Sequence, residues 1–166
     1  MSCVRELRAV FQSSAGRRAG PPPRGMIPRM TREEMALVRE SFESMRPIPR
    51  GVGRSFYERL FDLDPSLKAL FKGDLDAQGA MFVSALGLAV AGMDDAHTGD
   101  RPLRDLGQRH AAYGVTGAHF ATFREALVRT LREQIGPGFT DAHAAAWRTA
   151  FDRIGLVMRE AASSQA

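Results

Sequence analysis

The chain has 166 residues, of which 44% are hydrophobic and 25% charged, with a single cysteine, Cys3, and a formal charge of +4. That length suits one well-buried core rather than two domains and a linker, the lone cysteine excludes a disulfide framework or Cys-rich metal site and fits a reducing, cytoplasmic setting, and no apolar run approaches the roughly 20 residues of a membrane span. Arg5, Arg8, Arg17, Arg18, Arg24 and Arg29 against Glu6 put +5 into residues 1–30, which leaves −1 for residues 31–166, so the body has no positive excess with which to hold a nucleic acid.

Residues 1–30 also carry Pro21-Pro22-Pro23, several glycines and serines, and no sustained apolar face beyond Leu7 to Phe11. They are expected to form a disordered basic tail, either a dispensable extension or the product of a start placed upstream of Met26 or Met30. The Arg-rich, acid-poor composition is shared with organellar transit peptides, and no secretory apolar segment occurs. The domain proper is expected to span residues 31–166.

From Thr31 onward the periodicity is helical. Thr31 with Glu34 forms a capping box, and Met35, Val38, Phe42 and Met45 follow at three- and four-residue spacing. Pro47 and Pro49 end that helix, and a second is expected from about Arg50 with Val52, Phe56, Leu60 and Phe61 on one side. Asp64-Pro65 predicts a cap with proline in the first helical position, opening a short helix that ends near Phe71. A long helix follows Lys72-Gly73-Asp74, with Phe82, Leu86, Ala89, Val90 and Met93 as its expected buried stripe.

Asp94 to Asp100 reads as a polar loop, and Pro102 as the opening of a shorter helix that carries His110 and closes at Gly114, a residue free to adopt the left-handed conformation. Phe120, Phe123, Leu127 and Leu131 mark the next helix, which stops before Gly136-Pro137-Gly138. Thr140 caps the last one, with Trp147, Phe151, Ile154 and Met158 at helical spacing. No segment alternates like a strand, so the class is all-α. Six or seven helices of unequal length, one very short, do not describe a symmetric four-helix bundle.

The run Phe56-Tyr57-Glu58-Arg59-Leu60-Phe61, then Asp64-Pro65, Leu70-Phe71, Gly107 to Val115, His119-Phe120 and Ala146-Trp147 follow an order and spacing that resemble bacterial single-domain globins. The chain is close to the globin module of flavohaemoglobins and is also similar to neuroglobin. The resemblance covers residues 31 to about 160 and implies the globin fold, six to eight helices around a haem b pocket.

By that resemblance His110 is the residue that ligates the iron, with its other ring nitrogen expected to donate to a backbone carbonyl about one turn earlier. His97 in a polar loop, His119 early in a helix and His143 in the first turn of the last helix fit the role less well. Phe71 resembles the phenylalanine that lies flat on the haem, and Val115, Phe120, Phe123, Phe151 and Ile154 match other positions of its apolar slot. All six are also ordinary core residues by type. Tyr57 and Gln78 match the distal polar positions, and Phe82, one turn beyond Gln78, would limit the space above the iron. A purely structural Tyr57 remains an alternative. Gly53, one turn before Tyr57, and Gly79, beside Gln78, are expected where the two helices cross closely.

The activity this implies is reversible binding of O₂ at ferrous iron, with CO and NO as further ligands, and with hydrogen bonds from Tyr57 and Gln78 slowing release. Two alternatives stand beside it: nitric oxide dioxygenase, working with a separate reductase because the chain has no room for a flavin domain, and a haem-based gas sensor acting through a partner. Flavohaemoglobins place a tyrosine beside the histidine at 119 and a glutamate late in the last helix, whereas this chain has Phe120 and Ala162 there, with Glu160 nearby. That departure makes the iron ligand less anionic. A monomer or a homodimer is expected.

Overall fold

The structure, a computed structural model, describes residues 29–45, 49–71, 73–94, 100–112, 115 and 117–163. Residues 1–28 of the expected tail, His97, Tyr113 and Gly114 therefore lie outside the described residues, as does the side chain of Ala162; Met30, assigned to the tail, packs against the main core instead. Among the described residues there is no strand.

Local chemistry starts most of the helices. Helix α1, Arg32–Met45, opens on the expected capping box: the Glu34 N–H donates to Thr31 Oγ1 at 3.1 Å and the Thr31 N–H donates to the Glu34 carboxylate at 2.8 Å, so two N–H groups of the first turn are satisfied reciprocally. Helix α2 spans Pro49–Leu63. Asp64 then accepts from the Ser66 N–H at 3.0 Å and Pro65 takes the first position of Pro65–Leu70, a segment that is a 3-10 helix. Six residues ending on extended Phe71 suit the tighter 3-10 spacing used in short connectors.

Asp74 caps helix α3, Leu75–Ala91, by accepting from the Asp76 N–H at 2.9 Å. No charged residue occurs from Ala77 to Met93, as suits a helix that faces neighbours on most sides. After a 3-10 turn at Gly92–Asp94 come helix α4, Asp100–Ala112, and helix α5, Gly117–Ile135. Gly136, at φ +70°, ends α5 in the left-handed conformation. Helix α6, Asp141–Ser163, enters through Thr140, whose Oγ1 lies 2.8 Å from Nδ1 of His143.

The main core joins α1, α2, α3, α5 and α6 through residues such as Val38, Phe56, Leu60, Leu127, Leu131 and Trp147, all with essentially no exposure. The Trp147 indole N–H donates to Ser41 Oγ at 2.8 Å, and that hydroxyl donates to the Leu37 carbonyl at 2.7 Å, so the one polar atom of the buried indole is satisfied and α6 is fixed to α1. A smaller cluster of Leu103, Val157 and Met158 joins α4 to α6, and α4 packs chiefly on that helix. No helix of the described residues is long and apolar enough to cross a membrane.

Three expectations need correction. Helix α4 begins at Asp100, not Pro102; a proline in the first turn removes an N–H that has no partner within the helix anyway. Asp94 belongs to a 3-10 turn rather than to a loop, while residues 95–99 lie outside the described set. The interior stripe of α3 is Gln78, Gly79, Val83, Leu86 and Val90, with Phe82 and Ala89 only half-buried. Val83 takes the inward position because α3 packs tightly on α2 along the Gly79 side, which turns Phe82 towards its own aromatic neighbours.

Candidate functional site

The crossing of α2 and α3 sets one wall. A Cβ placed on Gly79 would lie 2.8 Å from the Gly53 carbonyl carbon, and one on Gly53 would overlap the Gly79 backbone; only glycine at both positions permits this approach. One turn after Gly53 on α2 stands Tyr57, buried, and immediately before Gly79 on α3 stands Gln78, also buried. The close crossing thus puts both polar residues on adjoining helices, each within about one turn of the point of contact. Gln78 Oε1 is buried without a hydrogen-bond partner, a condition that costs about 1–3 kcal/mol in a finished interior.

Around Tyr57 the aromatic residues assemble. Phe71 meets the Tyr57 ring edge-on at 5.0 Å between centroids, Phe82 lies 6.3 Å from it, and Phe123 lies 6.4 Å from Phe71. Phe71, Phe82 and Phe123 are each half-buried although they are large and apolar, so each presents surface that the packing of the chain does not cover. Four of the ten expected site residues therefore form one patch with α2, α3 and α5 behind it.

His110 stands near the end of α4, half-buried. Its Nδ1 lies 2.9 Å from the Leu106 carbonyl, one turn earlier. A carbonyl oxygen only accepts, so Nδ1 carries the proton and Nε2 keeps its lone pair. Burial pushes the His110 imidazole below its ordinary pKa, and the Leu106 bond opposes this more weakly; the ring is neutral at pH 7, the form that can ligate a metal. The Val115 N–H donates to the His110 carbonyl at 3.1 Å, the six-to-one bond with which many helices end.

The remaining expected residues divide between the two clusters. Phe151 is buried in the main core. Ile154 packs against the Leu103, Val157 and Met158 group, and Phe120 packs against both clusters. The Phe120 ring also covers Gly155, where a Cβ would sit 3.0 Å from Cδ1, and it carries the Arg159 guanidinium 5.5 Å from its centroid. Val115 is half-buried. Glu160 pairs with Arg104 at 3.8 Å.

Sequence reasoning missed some contributors. Phe56 stacks on Phe82 at 4.0 Å with an interplanar angle of 11° and so sets the orientation of that ring; Phe61 lies 5.7 Å from Phe71. Both stood in the Phe56 to Phe61 run, and their aromatic type was the available signal. Gly107 belongs to the Gly107 to Val115 motif, and a Cβ there would collide with the Met158 backbone. This lets α4 lie directly on α6.

The chain as a whole is similar to known proteins. Residues 54–158 match the globin family profile. Neuroglobin of Danio rerio is 30% identical over 146 residues, 78% of this chain and 91% of its own length. Leghemoglobin-1 of Lupinus luteus is 30% identical over 149 residues, 79% of this chain and 94% of its own length. An anaerobic nitrite reductase of Oryza sativa subsp. indica is 28% identical over 138 residues, 78% of this chain and 92% of its own length.

Proposed function

We propose, from the premise that this chain belongs to the globin family, that it holds haem b through His110 and binds O₂ reversibly on the face that Tyr57 and Gln78 line. The observation that carries this reading is the bond from His110 Nδ1 to the Leu106 carbonyl, because it commits one ring nitrogen and aims the lone pair of the other away from its own helix. The residues present fit the group. The partnerless buried Gln78 Oε1 marks a carboxamide whose polar demand the packing of the chain alone does not meet, and Phe71, Phe82, Phe120, Phe123, Val115 and Ile154 offer half-buried apolar surface of the kind a flat macrocycle covers. Phe151 supports them from the core.

Haem supplies a redox-active iron with one coordination position open to O₂, CO or NO. The chain does the rest. Leu106 holds the His110 ring in one tautomer and one orientation. Tyr57 offers a hydroxyl proton from a buried site, and Gln78 offers its amide N–H₂ from the adjoining helix after a half-turn of the carboxamide. Donors preset in a dry pocket favour a ligand that gains negative charge on binding. Phe56 and Phe82 exclude water by stacking beside them.

Nitric oxide dioxygenation, with a separate reductase returning the iron to the ferrous form, ranks second. It draws on the same Tyr57 and Gln78 donors, but Phe120 has no hydrogen-bonding group with which to make His110 more anionic.

Hemin titration of the purified chain tests the first reading. Stoichiometric growth of a Soret band is expected, followed by an oxy spectrum that cycles between argon and O₂ after reduction. His110→Ala should lose the band and regain it with added imidazole. An unchanged spectrum in that variant would show that another residue holds the iron. Stoichiometric conversion of the oxy form to nitrate on adding NO, sustained by a reductase, would instead favour the second reading.

A further inference from the structure

We infer that the buried ion pair between Asp100 and Arg153 is a positioning device for His110, pinning the first turn of α4 to α6 and so setting how the imidazole is presented. The inference rests on the reading of His110 as the haem ligand.

Helix α4 is polar, and its only buried residues are Asp100, Leu103 and Gly107. These recur at three- and four-residue spacing, and His110 is the next member of the same series. Three different contacts with α6 hold the first three. Arg153 Nη2 lies 2.8 Å from Asp100 Oδ1, with side-chain exposures of 13% and 9%, the most buried ion pair among the described residues. Leu103 packs on Val157 and Met158. Gly107 rests on the Met158 backbone.

Only the first of these contacts is directional. Apolar packing is insensitive to small slides and rolls, and a glycine on a backbone limits approach without choosing an angle. A charge-assisted hydrogen bond at 2.8 Å has a preferred length and angle. Because α4 packs chiefly on α6, the contacts with that helix dominate its roll among the described residues. The Arg104 to Glu160 contact, at 3.8 Å and with exposures of 28% and 31%, is too long and too wet to do so. The ion pair also shares a small cavity with Met30, Ala89, Met93, Leu103 and Ile154. These neighbours are apolar, so the Arg153 guanidinium is poorly solvated once position 100 no longer carries a charge, and it is displaced. Arg153 adjoins Ile154, and a shift therefore also reaches the slot wall.

The test uses the full chain with hemin bound and the variants Asp100→Asn, Arg153→Met and Arg153→Lys, beside Arg124→Met, which opens the more exposed Arg124–Asp152 pair. Three quantities are measured: hemin transfer to an excess of apomyoglobin, the iron–histidine stretching band of the ferrous protein, and hydrogen exchange of residues 100–112 in the haem-free protein. Asp100→Asn and Arg153→Met should speed hemin loss at least about tenfold, shift or broaden the band and speed exchange in α4. Arg153→Lys should recover part of each effect, and Arg124→Met should leave all three unchanged.

A wild-type band in Asp100→Asn and Arg153→Met, with or without faster hemin loss, would overturn the inference, since general destabilisation does not move that frequency. If wild type itself lacks the band, the haem reading fails with it, and unchanged exchange in α4 would separately show that the pair does not pin the helix.

Discussion

Gly53 and Gly79 touch backbone to backbone, with a Cβ on Gly79 falling 2.8 Å from the Gly53 carbonyl carbon. Alanine at either position gains up to about 1 kcal/mol of helix propensity, but it must push two main chains apart, which costs about 1–3 kcal/mol. Gly53→Ala and Gly79→Ala should therefore each lower stability in urea melts and speed hemin loss, because the displaced helices carry Tyr57 and Gln78. Gly51, with open space around its would-be Cβ, is the internal control: Gly51→Ala should be neutral or stabilising by up to about 1 kcal/mol.

Tyr57→Phe removes a hydroxyl from a buried position and keeps the ring that meets Phe71 at 5.0 Å. A hydrogen bond to a charged acceptor contributes about 1.5–3 kcal/mol, so O₂ should dissociate at least about tenfold faster in stopped-flow displacement by CO. An unchanged rate would make Tyr57 structural.

Gln78→Leu should act in opposite directions on the two forms of the protein. Without haem it removes a buried oxygen that has no partner, and the chain should gain stability on the order of 1 kcal/mol. With haem it removes a donor, and O₂ affinity should fall. Denaturation of the haem-free protein and O₂ titration of the loaded protein check both signs; a loss of stability in the haem-free variant would contradict the assigned geometry.

Acid should weaken the link between α5 and α6. The Arg148 guanidinium beside Glu125 holds its carboxyl below the usual glutamate range, with Arg124 adding to the effect, and Arg148 donates from Nε and Nη2 at 3.2 Å each. A depressed carboxylate pKa gives stability that is complete above the unfolded value and is lost as pH falls through the folded one. The pair is about a third exposed, so its contribution is under about 1 kcal/mol. Glu125→Gln should be slightly less stable than wild type at pH 7 in urea melts, with the difference disappearing below the folded value.

Much of the fold was legible because its signals are short-range. The Thr31 and Glu34 capping box and the Asp64-Pro65 start each involve groups two or three residues apart, and each forms the expected hydrogen bonds; Asp74, expected only as part of a polar link, caps its helix in the same short-range way. The same holds for the bond from His110 to Leu106, which depends only on one helical turn. One helix start not written in this way differs: Pro102 suggested a start that lies at Asp100, and a buried partner of Asp100 is Arg153, 53 residues away.

The apolar positions raised a different problem. Periodicity assigned Phe82 and Ala89 to the inside of α3 on hydrophobicity alone, and a spacing of 3.6 residues cannot choose between neighbouring rows of a helix that is apolar on nearly every side. Contact at Gly79 with α2 made the choice and brought Val83 inward.

Composition, caps and three- and four-residue spacing were thus sufficient for an all-helical chain with His110, Tyr57 and Gln78 on helices, since each of those statements depends on covalent neighbours within a turn or two, whereas the roles expected of the three residues came only from the resemblance to globins. The roll of α4 on α6, the stacking of Phe56 on Phe82 and the buried Asp100–Arg153 pair depend on which surfaces meet when distant segments compete for the same interior. That competition is settled by packing volume and desolvation across the whole molecule, quantities that no local window of residues contains.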